Sequence, residues 1–414
     1  MDSLQPVRGT HDILPEQSAR HRHVIATGRA IAEKYGFGEI ATPIFEFTEV
    51  FKRTLGDTSD IVTKEMYTFL SRSGEQITLR PEGTAGVVRC LISQGLSQRL
   101  PLKLFYQGPM FRHERPQKGR LRQFHQIGAE LLGVAAPLGD IEIIALAVHI
   151  LDALGVLEKT TLEINTLGDA ESRKAYRDVL VDYLNEHRDR LSEDSRDRLE
   201  RLPLRVLDSK DEGDRRIIAD APVMHDYLTG AAADFFAAVR AGLDGLGVAY
   251  ELNPRLVRGL DYYCHTAFEC TTRELGAQGA VLAGGRYDGL VAAMGGPATP
   301  GVGWAAGIER LSMLIDAPPG PDRPIAVIPV GAAAESAALK LTQELRRDGF
   351  TVDLGYGGNL SRRMKRANRL HARCAVLLGE DELERDAVTV RDLDTGEQEE
   401  VPLPRLKDRL ARFR

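Results

Sequence analysis

Cysteine is scarce in this chain and badly spaced for chemistry. Cys90, Cys264, Cys270 and Cys374 stand far apart with no CxxC pair, which speaks against a zinc site and a disulfide framework. Long hydrophobic runs are missing too: the longest, over residues 143–148 and 375–378, fall far short of the roughly 20 residues a membrane-spanning helix needs. The N-terminus, MDSLQPVRGTHDILPEQ, has acids and a proline but no apolar core segment, so no secretory signal is read and a cytoplasmic location is expected. Positive charge is in deficit, with a formal net charge of -6 over 414 residues. A nonspecific nucleic-acid coat is thereby disfavoured, and any RNA partner must be held by local patches. The apolar share of 43% and charged share of 28% are ordinary for a globular protein, and the length predicts two or three domains.

Against that acidic background one stretch runs the other way. FYQGPMFRHERPQKGRLRQFHQIGAE, residues 105–130, reads as a strand, a charged turn broken at 116–119 and a second strand, which is an antiparallel hairpin. Arg112, Arg115, Lys118, Arg120 and Arg122 crowd its tip against the single carboxylate Glu114. Arginine matches phosphate bidentately and Phe124 offers a face to a purine. A nucleotide-binding hairpin and a solvated basic turn fit this window about equally well.

In order, the chain opens with a helix starting at Pro15, whose face Val24, Gly28, Ile31 and Tyr35 recurs at helical spacing up to Gly36. A strand over residues 39–44, carrying Pro43, and a short helix follow. A strand over 76–79 stops before Pro81, and a helix opens at Gly83 or Thr84; Glu82 at that turn reads as a partner of the helix dipole. An apolar helix through Ile141 and Val148 precedes a strand, TLEIN. Residues 171–228 are charge-laced helix and read as an inserted subdomain. A strand at 248–252 leads to LVRGLDYYCHTAFEC, strand-like but carrying Arg258 and Asp261. AGGRYDGLV has paired glycines suited to a tight turn and close backbone approach, and PGVGWAAGIERL reads as a glycine-rich strand feeding a helix near Gly307, with Arg310 in its first turn. Past a Pro/Gly linker at 316–324, strands and helices alternate as βαβαβ, predicting a small α/β domain with a largely parallel sheet and a basic helix bearing Arg362, Arg363, Lys365, Arg366 and Arg369.

Five of these stretches, in this order, resemble the motifs of histidyl-tRNA synthetases, which are class II aminoacyl-tRNA synthetases. GFGEIATPIFEFTEVFKRTLG is similar to the dimer-forming motif 1, LRPEGT together with FRHERPQKGRLRQFHQIGAE to the substrate-ammonium stretch and motif 2, RGLDYY and AGGRYDGLV to the two histidine-specific motifs, and GIERL to motif 3. The resemblance implies an α+β catalytic domain on the class II antiparallel sheet over residues 1–320, with a helical insertion at about 170–228, and a C-terminal α/β anticodon-binding domain over 321–414. It implies ATP-dependent activation of L-histidine, with Mg²⁺, and transfer to tRNA(His) by a homodimer. Carried over by position, Arg112 holds the α-phosphate, Arg310 the γ-phosphate, Phe124 stacks on adenine beside Glu114, and Arg120 completes the ATP site. Arg258 bridges the amino-acid carboxylate and the α-phosphate, so that Arg258 and Arg112 are the catalytic pair. Glu82, Gly83, Thr84 and Gln126 receive the ammonium; Glu130 and Tyr263 bracket the imidazole, with Tyr262 and Tyr287 beside them. Gln117 and Arg122 fall where the family reads the tRNA acceptor end. No protein metal ligands are implied. Two departures stand out: Cys264-His265 replaces a frequent Asn-Arg, and Trp304 is larger than usual, which predicts an altered site floor. A synthetase-like regulatory subunit of histidine biosynthesis and a tRNA-sensing module are the alternative readings.

Overall fold

The computed structural model describes residues 4–55, 61–258, 262–276, 279–317, 320 and 323–413, and the chain divides into two compact units, Met1–Pro318 and Pro319–Arg414. The first is built on an eight-stranded sheet in the order Gly38–Ile40, Leu102–Phe111, Gln123–Leu132, Gly301–Gly307, Ala280–Arg286, Cys264–Thr271, Thr161–Thr166 and Glu251–Leu252. Only the two outermost pairings are parallel; every other pairing is antiparallel. The centre is the basic hairpin, whose ten-residue strands Leu102–Phe111 and Gln123–Leu132 pair along their full length.

Strand alternation assigns the two faces. Ile127, Ala129 and Leu131, with Val302, Trp304 and Ala306 of the neighbouring strand, pack beneath the helices Pro15–Lys34, Pro137–Ala153 and Gly230–Gly245. Gln126, Gly128 and Glu130, with Gly301 and Gly303, therefore look out from the opposite face. Trp304 does not alter the site floor: it is buried in the helical layer, its indole N–H donating to the Ile143 carbonyl at 3.0 Å.

Several local expectations are corrected. The strand expected over residues 39–44 is split into Gly38–Ile40 in the large sheet and Phe45–Phe47 in a separate three-stranded sheet with Gln76–Leu79 and Tyr67–Leu70. Pro43 lies in the break, where a residue without an N–H leaves no ladder bond missing. The 248–252 strand shrinks to Glu251–Leu252. Gly284 and Gly285 form no turn; they sit inside the strand Ala280–Arg286, where an added Cβ would lie 2.2 Å from the Gly303 carbonyl and 2.6 Å from that of Thr266. Close approach alone accounts for them.

The region after the Thr161–Thr166 strand folds as helices Ala170–Glu186, Glu193–Arg201 and Glu212–Ala219 around their own apolar cluster of Tyr176, Leu180, Leu184, Leu199 and Val206. Asp214, fully buried there, accepts from the Ser192 amide and from the Ser192, Ser195 and Ser209 hydroxyls at 2.5–2.8 Å, which hold its carboxyl below the usual range despite burial. In the second unit the sheet order is Val352–Leu354, Ile325–Pro329, Cys374–Leu378, Ala387–Asp392 and Gln398–Pro402. The first three strands are parallel and the last two antiparallel, so the sheet is mixed rather than largely parallel. Its basic helix, Leu360–Arg369, is capped by the Asn359 side chain.

Candidate active site

The outward face of the sheet carries two chemically different ends. At the first, the Gln76–Leu79 strand delivers Glu82 to the start of helix Thr84–Ser93, where its carboxylate accepts from the amides of Thr84 at 2.6 Å and Ala85 at 2.8 Å. The dipole role read from the sequence is thus present in the fold, and a carboxylate with about four acceptor positions retains capacity for a ligand amine. Gly83 is required beside it, because a Cβ there would lie 2.3 Å from the Tyr106 ring. Thr84 then donates its hydroxyl to Glu130 at 2.6 Å, and the Tyr287 hydroxyl donates to the other Glu130 oxygen at 2.5 Å.

Glu130 is 1% exposed, and burial pushes its carboxyl up to about 8 even though both hydroxyls donate to it. Burial likewise raises Glu82 and holds the hydroxyls of Tyr106, Tyr262 and Tyr287 protonated far above their ordinary range. The rings of Tyr262 and Tyr263 lie 4.5 Å apart, and Tyr262 meets Tyr287 edge-on at 5.8 Å. The buried Gln126 Oε1 has no hydrogen-bond partner among the described residues. Leaving such an acceptor unpaired costs on the order of 1–3 kcal/mol, so it is held ready for a donor.

The other end is cationic. Arg112 donates to the Pro81 carbonyl at 2.9 Å and lays its guanidinium 5.3 Å from the centre of the Phe124 ring. Arg120 is ion-paired with Glu114, from which Arg112 lies 3.9 Å away. Arg310, in the first turn of helix Ile308–Leu314, donates to the carbonyls of Gly119 at 3.0 Å and Ala280 at 2.5 Å. Burial lowers its pKa, and the neighbouring Arg120 lowers it further. Arg258 lies between the two ends, 3.6 Å from the Glu269 carboxylate with its guanidinium 5.4 Å from the Tyr263 ring centre. Asp261, which follows it in the RGLDYY motif, lies outside the described residues.

At the hairpin tip Gln117 and Arg120 exchange backbone hydrogen bonds at 2.9 Å, and Gln117 is exposed. Arg122 sits lower, its amide on the Gly9 carbonyl at 2.8 Å and its Nε on the Glu114 carbonyl at 3.3 Å, against a glycine with no room for a Cβ. At the Cys264-His265 departure, His265 turns its ring onto Phe235 of the helical layer, 4.6 Å between centroids, with φ 45 in the left-handed region. Burial pushes the Cys264 thiol up to about 11, well away from reactivity.

Sequence reasoning missed Tyr106, Gly128, Gly303 and Glu309. A Cβ at Gly303 would lie 1.8 Å from a Glu130 oxygen, and one at Gly128 would lie 2.2 Å from Tyr106. The alternate glycines of GVGWAAG were the available signal: a strand that omits side chains on one face leaves space above it.

The histidyl-tRNA synthetase family model matches residues 9–311, and the anticodon binding domain model matches residues 324–412. A histidine–tRNA ligase from Rhodospirillum rubrum is 63% identical over 414 residues, 100% of both chains, and one from Gluconacetobacter diazotrophicus is 59% identical over 411 residues, 99% of both. The structure of the apo histidyl-tRNA synthetase of S. aureus superposes with a TM-score of 0.82 at 35% identity, covering 98% of this chain and 99% of that one. In sequence along its whole length and in fold, the chain belongs to the histidyl-tRNA synthetases, a family of class II aminoacyl-tRNA synthetases.

Proposed function

We propose that this face joins L-histidine to ATP and passes the histidyl group to the 3′ end of tRNA(His). The histidine carboxylate attacks the α-phosphorus, forming histidyl-adenylate and releasing pyrophosphate; the terminal ribose hydroxyl of the tRNA then attacks the acyl carbon and AMP leaves. Neither step needs a protein nucleophile, so the residues act by alignment and charge stabilisation.

The observation that carries the reading is Glu130, dry and clamped between Thr84 and Tyr287, on the same face of its strand as an unpaired Gln126 oxygen. Glu82, Thr84 and Gln126 take the ammonium over the small Gly83, while Glu130 and Tyr263 take the two imidazole nitrogens, with Tyr262 and Tyr287 closing the walls. A pocket built to hydrogen-bond both nitrogens rejects side chains lacking them, because its own buried groups would be left unpaired. Arg112 holds the α-phosphate, Arg310 the γ-phosphate and Arg120 the polyphosphate. Phe124 and Glu114 receive adenine, and Arg258 spans the carboxylate and the α-phosphate. Mg²⁺ would be carried by the phosphates of ATP rather than by protein ligands, and would supply neutralising charge there. Glu269 and Glu114 are the nearby carboxylates, and both already face guanidinium groups, which fits an ion held chiefly by phosphate and water. Gln117 and Arg122 contact the acceptor end, and the second unit binds the anticodon arm.

A homodimer is part of the proposal. Phe45, Phe47 and Phe69 are 57%, 56% and 48% exposed on the small sheet, whose register puts them on one face with Ile77 and Leu79. An apolar face of that kind marks a protein contact. Among the described residues no helix is long and apolar enough to cross a membrane, and a cytoplasmic location completes the reading. The regulatory-subunit alternative is not favoured, since the ligases quoted above match along the full chain. Histidine-dependent exchange of labelled pyrophosphate into ATP tests the assignment; its absence in folded protein supplied with Mg²⁺ would overturn it.

A further inference from the structure

On the reverse of the nucleotide end, three side chains from distant parts of the chain converge. His21 projects from the opening helix Pro15–Lys34, His125 from the Gln123–Leu132 strand, and Glu309 from the first turn of helix Ile308–Leu314. One ligand atom from each lies within 4.8 Å of the others. The imidazoles of His21 and His125 are 5.7 Å apart, tilted by 60°. Glu309, largely buried, accepts from the His125 amide at 3.0 Å on both oxygens, and one of these oxygens is 2.8 Å from the His125 Nδ1.

Strand alternation puts His125 on the face away from Phe124 and Gln126, so none of the three donors belongs to the pocket assigned to substrates. The His125 Nδ1 and that Glu309 oxygen, 2.8 Å apart, are the pair that an ion would bridge in place of the proton between them.

We propose that His21, His125 and Glu309 form a binding site for a divalent transition-metal ion of the Zn²⁺ class, behind the ATP half of the sheet. Two imidazoles and a carboxylate are borderline donors, suited to Zn²⁺, Co²⁺ or Ni²⁺ and ill-suited to Mg²⁺, which prefers an all-oxygen shell. Zn²⁺ takes such donors at about 2.0–2.2 Å, so the half-exposed His21 swings inward on binding, leaving a fourth position for water. The ion ties the opening helix to the strand and to the turn that carries Arg310. The proposal stands on this cluster and does not depend on the substrate assignments.

The test is titration of the metal-free full-length chain with Co²⁺, followed by visible absorption, and with Zn²⁺ by calorimetry, without nucleotide. One saturable equivalent per chain is expected, with the Co²⁺ bands displaced by Zn²⁺. His21→Ala weakens that equivalent by about tenfold or more while leaving histidine-dependent pyrophosphate exchange intact. His23→Ala, on the same helix and outside the cluster, leaves it unchanged. No saturable equivalent, or one equally tight in His21→Ala, would overturn the site. Loss of the equivalent in His23→Ala as well would do the same, by assigning the binding to another part of the helix. A pyrophosphate-exchange failure of the unaltered chain would count against the substrate reading and leave this one standing.

Discussion

The two ends of the site solve opposite electrostatic problems. At the end proposed for histidine the carboxylates are buried and hydrogen-bonded, Glu82 on two amides and Glu130 on two hydroxyls, with tyrosine rings as walls and the Gln126 oxygen left unpaired. At the ATP end the cations are partly exposed and rest on backbone carbonyls or on Glu114. A buried pocket of fixed hydrogen-bonding groups suits a ligand recognised by its hydrogen-bond pattern. A cationic ledge suits a polyanion, which takes the arginines from their resting partners and gives them charge-assisted, bidentate ones. Specificity on this reading belongs to the first end and acceleration to the second, and the predictions separate the two.

The largest effect is expected at the junction. Arg258→Ala lowers adenylate formation by about a thousandfold or more with ATP affinity little changed, since its contact strengthens as charge develops at the α-phosphorus. Lysine restores only part, because it lacks the fork. Single-turnover kinetics and a separate nucleotide-binding titration check this; a near-normal rate would remove Arg258 from the mechanism.

Next comes Glu130→Gln, which keeps the shape and exchanges an acceptor for a donor. Histidine KM should rise by about a hundredfold or more while ATP KM stays within about twofold, a split that a general folding defect would not produce.

A smaller effect concerns pH. The folded Glu130 carboxyl is pushed up to about 8, against 4.5 for a free glutamate, so at intermediate pH the folded apo protein holds a proton that the unfolded chain has released. This contribution to stability is complete below about 4.5 and is lost as pH rises through 8. Urea midpoints followed from pH 5 to 8.5 should therefore fall more steeply for the parent than for Glu130→Gln. Histidine binding at pH 7 should also release a proton that the variant does not, seen as a dependence of binding heat on buffer ionisation enthalpy. Parallel midpoint curves would show that Glu130 is ionised in the free protein.

The smallest effect is a control for both ends. Trp304→Phe removes the bond to the Ile143 carbonyl and some packing, at a cost of about 1–2 kcal/mol, without moving either substrate KM. A shift in histidine KM would mean that this residue reaches the pocket through the strand.

Legibility followed the range of the interaction. The hairpin, the opening helix and the helix start at Thr84 were readable because turn residues, helix periodicity and strand-stopping prolines act within a few neighbours. The Pro43 break was misplaced because proline marks an interruption without saying which sheet takes each side. Trp304 was placed on the wrong face because an odd-even assignment needs one anchored neighbour, and Gly303 supplies it only once Glu130 lies opposite. The paired glycines at 284 and 285 looked like a turn because the feature that demands them, the Gly303 and Thr266 carbonyls, is remote in sequence.

By itself the sequence determined the family, the order of its motifs and the residue types proposed to meet ATP and histidine, since these are carried by short stretches of specific chemistry. Only the tertiary structure decided that Glu130 is clamped by Thr84 and Tyr287, 46 and 157 residues away, and that burial raises its proton affinity. Only there does Arg286 meet Asp140 in full burial, and Glu309 meet His125 at a separation of 184 residues. Such contacts leave no periodic trace along the chain: each partner is an ordinary polar residue until the sheet closes, and desolvation, which sets their strength, is a property of the packed interior alone.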